Sequence, residues 1–153
     1  MAETLGTLCD KLTIVKLKEW HSDDSERLVS LKGQATSLQE EINRFVAAAL
    51  AGDIPIGNLT FAANKVYKKQ GNDIADVVGA IGDVFAQLAY VNCELWHEQE
   101  KVYDFAAVPA AQKDTVVKAL AHLNLQRNRC IDAIDRILSE QIARSQSKSS
   151  VNT

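Results

Sequence analysis

The stretch L-C-D-K-L-T-I-V-K-L-K-E-W-H, residues 8–21, decides how the chain is read. Leu8, Leu12 and Val15, with Leu5 and Cys9 beside them, recur at three- and four-residue steps. That spacing is one face of an α-helix, not a strand. The stretch ends in Trp20-His21, and the same pair returns as Trp96-His97, although the chain has only two tryptophans and three histidines. Laying residues 8–24 over 84–100 aligns Leu12 with Leu88, Val15 with Val91, Trp20 with Trp96, His21 with His97 and Asp24 with Glu100. A second, weaker match lays Leu31, Leu38, Ile42 and Asn43 over Leu123, Cys130, Ile134 and Asp135. The first match, which uses both tryptophans, suggests a duplicated helical hairpin; the second is weak enough to arise by chance.

Outward from that stretch, helical periodicity dominates. Helix 1 is expected over about residues 2–22. Ser22-Asp23-Asp24-Ser25 reads either as a break with a cap or as a polar turn inside a longer helix. A stripe of Leu28, Leu31, Ala35, Leu38, Ile42, Phe45 and Ala49 continues through residue 50, where A-G-D-I-P-I-G-N breaks it. Asn58 is suited to cap a short helix, L-T-F-A-A-N-K-V-Y-K-K, closed by lysines and Gly71. Helix 3 is expected from Asn72 or Asp73 to Tyr103, on Ile74, Val77, Val78, Ile81, Phe85, Leu88, Val91/Asn92 and Leu95. Gly79 and Gly82 inside it suggest a close approach to a neighbour. Pro109 suits the first turn of helix 4, which should run to about Arg144. The expected fold is an all-α antiparallel four-helix bundle of two pseudo-repeated helical hairpins, with one short extra helix in the linker. Residues 1–144 form its single domain and 145–153 a disordered polar tail.

Two anomalies point to a site. His21 and Asp24, like His97 and Glu100, stand three apart and would share a helix face. In the preferred reading each tryptophan fills the bundle end while its histidine bonds the acid. The sharper reading brings both pairs together around a metal through His21, His97 and Glu100, but the usual bundle motif, Glu-x-x-His, is reversed here. The other anomaly is helix 4, whose seam, Val117, Leu120, Asn124, Asn128, Ile131, Asp135, Leu138, carries polar groups where leucine is expected. Buried amides and carboxylates need partners. Arg127 beside the seam suggests pairing with Glu100 or Asp135. The network either sets helix register, the preferred reading, or lines a pocket that recognises a ligand, such as an anion held by Arg127. The candidate polar site is therefore His21, Asp24, Asn92, Trp96, His97, Glu100, Asn124, Arg127, Asn128 and Asp135.

N-C-E-L-W-H-E-Q-E-K (92–101) followed by L-N-L-Q-R-N-R-C-I-D-A-I-D (123–135) resembles the bacterial family called domain of unknown function 4254. The positions that carry the resemblance are Asn92, Leu95, Trp96, His97, Glu100, Asn124, Arg127, Asn128, Ile131, Ile134 and Asp135, and residues 8–21 look like that family's opening. Gln99 departs from the acid expected there. The resemblance implies a bacterial helical protein over about residues 5–138 and no activity. I-D-A-I-D-R-I-L also resembles the first helix of helical chorismate mutases, but here it closes the chain and the rest does not match.

Composition narrows the function classes. The 153 residues suit one domain with a real core, and a net charge of −3 disfavours general nucleic-acid binding. Only K-V-Y-K-K (65–69) hints at it, and a helix end explains those lysines. Three widely spaced cysteines fit a reducing cytoplasm, and no secretory leader or membrane span is expected. With no nucleophile–base motif, phosphate loop or strong metal motif, the expectation is a non-enzymatic interaction module that self-associates. It would need no cofactor, nucleic acid or membrane. The alternative is a ligand- or metal-binding bundle, with or without enzymatic activity, with its site at the Trp-His motifs and the Asn/Arg-rich face of the last helix.

Overall fold

The computed structural model describes residues 3–61, 74 and 76–151. Among them the regular structure is all helical: α1 (Leu5–Trp20), α2 (Ser25–Ala51), a single 3-10 turn at Ile56–Asn58, α3 (Ile81–Tyr103) and α4 (Ala110–Val151). No helix of the described residues is long and apolar enough to cross a membrane.

Local chemistry sets the boundaries. Thr4 caps α1 through a reciprocal box: its hydroxyl accepts from the Thr7 amide at 3.3 Å, and the Thr7 hydroxyl accepts from the Thr4 amide at 2.8 Å. The break at 22–25 is real, because the Asp24 carboxylate accepts from the Arg27 amide at 2.7 Å and opens α2. Gly52, at φ 81°, closes α2 in the left-handed conformation that glycine takes without a Cβ clash.

Helix 3 starts later than its apolar pattern suggests. Gly79 stands at φ 125°, outside the helix, and the Asp83 carboxylate accepts from the Ala80 amide at 2.9 Å to start the helix afresh. The seam shifts with it. Val84, Leu88, Val91, Asn92 and Leu95 are buried, while Val78 and Phe85 are exposed. Among the described residues Gly82 meets no neighbour and Gly79 meets the Asp83 side chain at the start of α3, so no close approach to another helix is seen at that pair. It occurs instead at Gly6, where a Cβ would lie 2.3 Å from the Ile131 carbonyl oxygen. The short helix expected over 59–69 lies largely outside the described residues, and Leu59–Phe61 are not helical. At the other end α4 continues as helix to Val151 through residues expected to be disordered. Neither proline nor glycine interrupts 110–151, and each added residue extends a formed helix at small cost.

Helix α1 is the hub. It packs on α2 along one side and on α3 and α4 along the other, while α3 lies mainly on α4. Leu8, Phe45, Leu88, Cys130, Ile134 and Leu138 anchor the main core, which draws on every helix. Each such leucine, isoleucine or phenylalanine side chain contributes roughly 1.5–3 kcal/mol by leaving water. A smaller cluster of Val15, Leu31 and Ala35 joins the far half of α1 to α2 alone. This arrangement is compatible with a bundle, and the two Trp-His motifs hold unlike places in it. Trp20, expected to fill the bundle end, is 86% exposed at the last residue of α1, where no helix of the described residues covers it.

Candidate functional site

Asp10, Asn92 and Arg127 come from three helices and meet in one buried network. Asp10 follows Cys9 on α1, Asn92 shares the inward stripe of Leu88 and Leu95, and Arg127 lies one turn before Ile131. The Arg127 guanidinium grips Asp10 bidentately, Nε to Oδ1 at 2.8 Å and Nη2 to Oδ2 at 2.5 Å. Asn92 Nδ2 donates to the same Oδ1 at 2.9 Å and to the Thr13 hydroxyl at 2.7 Å. That hydroxyl donates its own proton to the Asp10 carbonyl at 2.8 Å. Hydrogen bonding to Asp10 raises the Arg127 pKa, against the opposing effect of burial. The pairing expected for Arg127 was with Glu100 or Asp135. Asp10 takes that place because it faces Arg127 directly across the α1–α4 contact.

Beside this network, α1, α3 and α4 enclose a cleft of about 260 Å³. Ile14, Leu17 and Leu95 form its apolar lining, and Asn92, Trp96, Glu100, Asn124 and Arg127 bring the sequence-predicted polar groups to it. The Trp96 indole donates to Glu100 Oε1 at 2.8 Å. His21 stacks on Trp96, with centroids 4.7 Å apart and planes 21° from parallel. The two Trp-His motifs therefore do meet, by ring stacking. His21 Nδ1 lies 2.8 Å from the Leu17 carbonyl, which can only accept, so Nδ1 carries a proton.

Other predicted residues stand apart. His21 and Asp24 do not share a helix face, because α1 ends before one and α2 begins after the other. His97 is exposed, its Nδ1 a loose 3.8 Å from Glu100 Oε2. Asn124 is exposed on the cleft rim and donates to the Leu120 carbonyl at 3.0 Å. Asn128 is half-buried beside Arg127. The expected seam is out of phase at its start, since Val116 is buried and Val117 exposed. Asp135 lies at the opposite end of the α1–α4 contact, accepting from the Gly6 amide at 2.7 Å. Burial pushes its pKa up to about 6, against the lowering effect of that amide. Among the described residues no group of three or more His, Cys, Asp or Glu is placed to hold a metal.

Asp10 and Thr13 are the functional residues that sequence reading missed. They flank the Leu8–Val15 stripe and look outward on a helix with one buried face. The available signal was indirect: an Asn/Arg-rich seam on helix 4 requires an acceptor on the helix facing it.

Comparison of the chain with protein-family models, with curated proteins and with solved structures finds no match in any of the three.

Proposed function

We propose that the protein is a non-enzymatic helical interaction module that self-associates through the end of the molecule where α1 and α3 terminate. One observation carries this reading: Trp20 and Tyr103, at those helix ends, are 86% and 83% exposed. Large aromatics bring much contact area at little entropic cost, and tryptophan and tyrosine are enriched among residues that dominate interface energies. The partner is a second copy of the chain, whose own Trp20 and Tyr103 would meet this surface in an isologous contact.

The chemistry of the interior supports a role other than catalysis. Both Asp10 carboxylate oxygens, the Asn92 amide nitrogen and the Thr13 hydroxyl are committed to one another and to Arg127. The Cys9 thiol is pushed up to about 11 by burial and by the charges of Asp135 and Asp10, so its nucleophilic thiolate is scarce. Membership of the domain of unknown function 4254 family, origin by hairpin duplication and a cytoplasmic location belong to the same proposal. They rest on the motifs at 8–21, 92–101 and 123–135 and on the cysteine pattern.

Sedimentation velocity over a wide concentration range tests the reading. The wild-type chain is expected to form a defined oligomer, and Trp20→Ala with Tyr103→Ala to weaken it at least about tenfold with an unchanged helical circular-dichroism spectrum. A wild-type chain that stays monomeric at millimolar concentration would overturn it.

A further inference from the structure

We infer that the cleft between α1, α3 and α4 binds a small uncharged molecule with an amide-type edge, an N–H donor beside a carbonyl acceptor, on an apolar or aromatic body. The argument starts from Asn92, which is only 4% exposed. Its amide orientation follows from chemistry: the Asp10 carboxylate accepts, so the nitrogen must face it. Both bonds made by Asn92 use that nitrogen. The amide oxygen accepts from no described residue. No buried side-chain polar atom among the described residues is without a partner. The Asn92 oxygen is therefore reached by solvent, and the cleft is the surface that Asn92 lines.

Arg127 supplies the complementary half. Its Nε and Nη2 are bound to Asp10, while Nη1 keeps two N–H donors. Asn92 and Arg127 hold the same Asp10 oxygen, at 2.9 and 2.8 Å, so the unused acceptor and the unused donors belong to adjacent side chains. An amide edge matches that pair in both directions. A carboxylate offers no donor to Asn92, and an ammonium group offers no acceptor to Arg127.

Charge points the same way. Asp10 neutralises Arg127 from behind, and Lys18 and Glu100 on the cleft wall offset each other, which leaves no net field to select an ion. Ile14, Leu17, Leu95 and Trp96 supply an apolar wall for the body of the ligand. The size suits a single ring with one substituent, near the lower end of ordinary ligand pockets.

The presence of only two tryptophans makes the test direct, since a ¹⁵N-labelled sample gives two indole N–H signals. Trp20→Phe assigns them by removing the Trp20 signal. The probes are benzamide, benzoate and methyl benzoate, which share a ring and differ in the edge. Benzamide is expected to shift the Trp96 signal saturably and to bind at least about tenfold more tightly than either comparator, the equivalent of one matched hydrogen bond. Benzoate binding as tightly as benzamide would overturn the inference in favour of an anion site. Equal binding of all three would reduce the cleft to an apolar slot. An unmoved Trp96 signal at the solubility limit of benzamide would remove it as a site. Titrated at a concentration where sedimentation shows the monomer, the cleft is read apart from self-association, whose Tyr103 also lines it.

Discussion

The two ends of α1 make different contacts with the same neighbour. At its start Gly6 touches the Ile131 backbone, the Gly6 amide bonds Asp135, and Leu5, Leu8 and Cys9 enter a core shared by all four helices. Further along, Asp10 and Thr13 meet Asn92 and Arg127, and beyond them the cleft opens. The start is closed by shape, at distances that permit no extra atom. The later half is closed by hydrogen bonds, which hold the helices together while leaving space between them. Beside Asp10 and Arg127, polar groups replace interdigitating side chains, and the cleft lies there.

The largest effect should come from the shape-closed end. Gly6→Ala places a methyl group 2.3 Å from a carbonyl oxygen held in the backbone of α4. Helix propensity alone would make the change favourable by about 1 kcal/mol. The clash should reverse the sign and cost on the order of 3 kcal/mol in urea denaturation. A neutral or stabilised variant would show that α1 and α4 are not in close contact there.

The hydrogen-bonded end should lose somewhat less. Asp10→Ala strands Arg127 half-buried beside Asn92, at a cost of about 2–3 kcal/mol after allowance for solvent reaching the guanidinium. Asp10→Leu combined with Arg127→Met should recover most of that loss, since no charge is then left unpaired. A double variant as unstable as the single one would mean that the network is needed for more than mutual satisfaction.

Asp135 allows a pH test of the closed end. Its pKa is raised by burial from 3.8 to about 6, so between those values the folded chain holds a proton that the unfolded chain has released. Its contribution to stability therefore falls as pH rises through that window and is flat above it. Asp135→Asn keeps an acceptor for the Gly6 amide without the charge, and should stabilise the fold by about 1–2 kcal/mol at pH 7. The gap between variant and wild type, followed by thermal melts, should open from about pH 4 to 6. A gap that narrows over that range would contradict the buried, charge-disfavouring site.

The smallest effect belongs to Trp20. A tryptophan filling a bundle end would cost about 3–5 kcal/mol on truncation to alanine. Exposed as it is, Trp20→Ala should change the stability of the dilute monomer by no more than about 0.5 kcal/mol. A large loss in the monomer would place Trp20 in a core and remove the basis for an interface there.

Much of the helical content and several boundaries were legible in the chain itself. Asp24 and Gly52 act locally, through a side-chain cap and a left-handed φ, and so mark the ends of α2 in the sequence. The Leu8–Val15 stripe identifies a buried face by its period. Gly79 is the exception that shows the limit. A glycine in a helical pattern looks like a packing notch, yet its positive φ restarts α3 and shifts the seam, so Val84 is buried in place of Phe85.

The candidate site was legible by composition and not by partner. The rarity of Trp-His and the Asn/Arg run on helix 4 singled out Asn92, Trp96, Glu100, Asn124 and Arg127, all of which line the cleft. Asp10 escaped because periodicity records which face of a helix is apolar, not how many neighbours the helix has. Only the tertiary structure makes α1 a hub with neighbours on both sides, turning its polar edge inward. It alone also sets Trp20 in solvent and Trp96 against His21, although the two tryptophans share a local motif. Local sequence determines where a helix begins, ends and turns apolar, because those are short-range effects of capping and period. Which polar group meets which depends on distant segments brought into contact by a common core, as Asp10 and Arg127 are across 117 residues of chain.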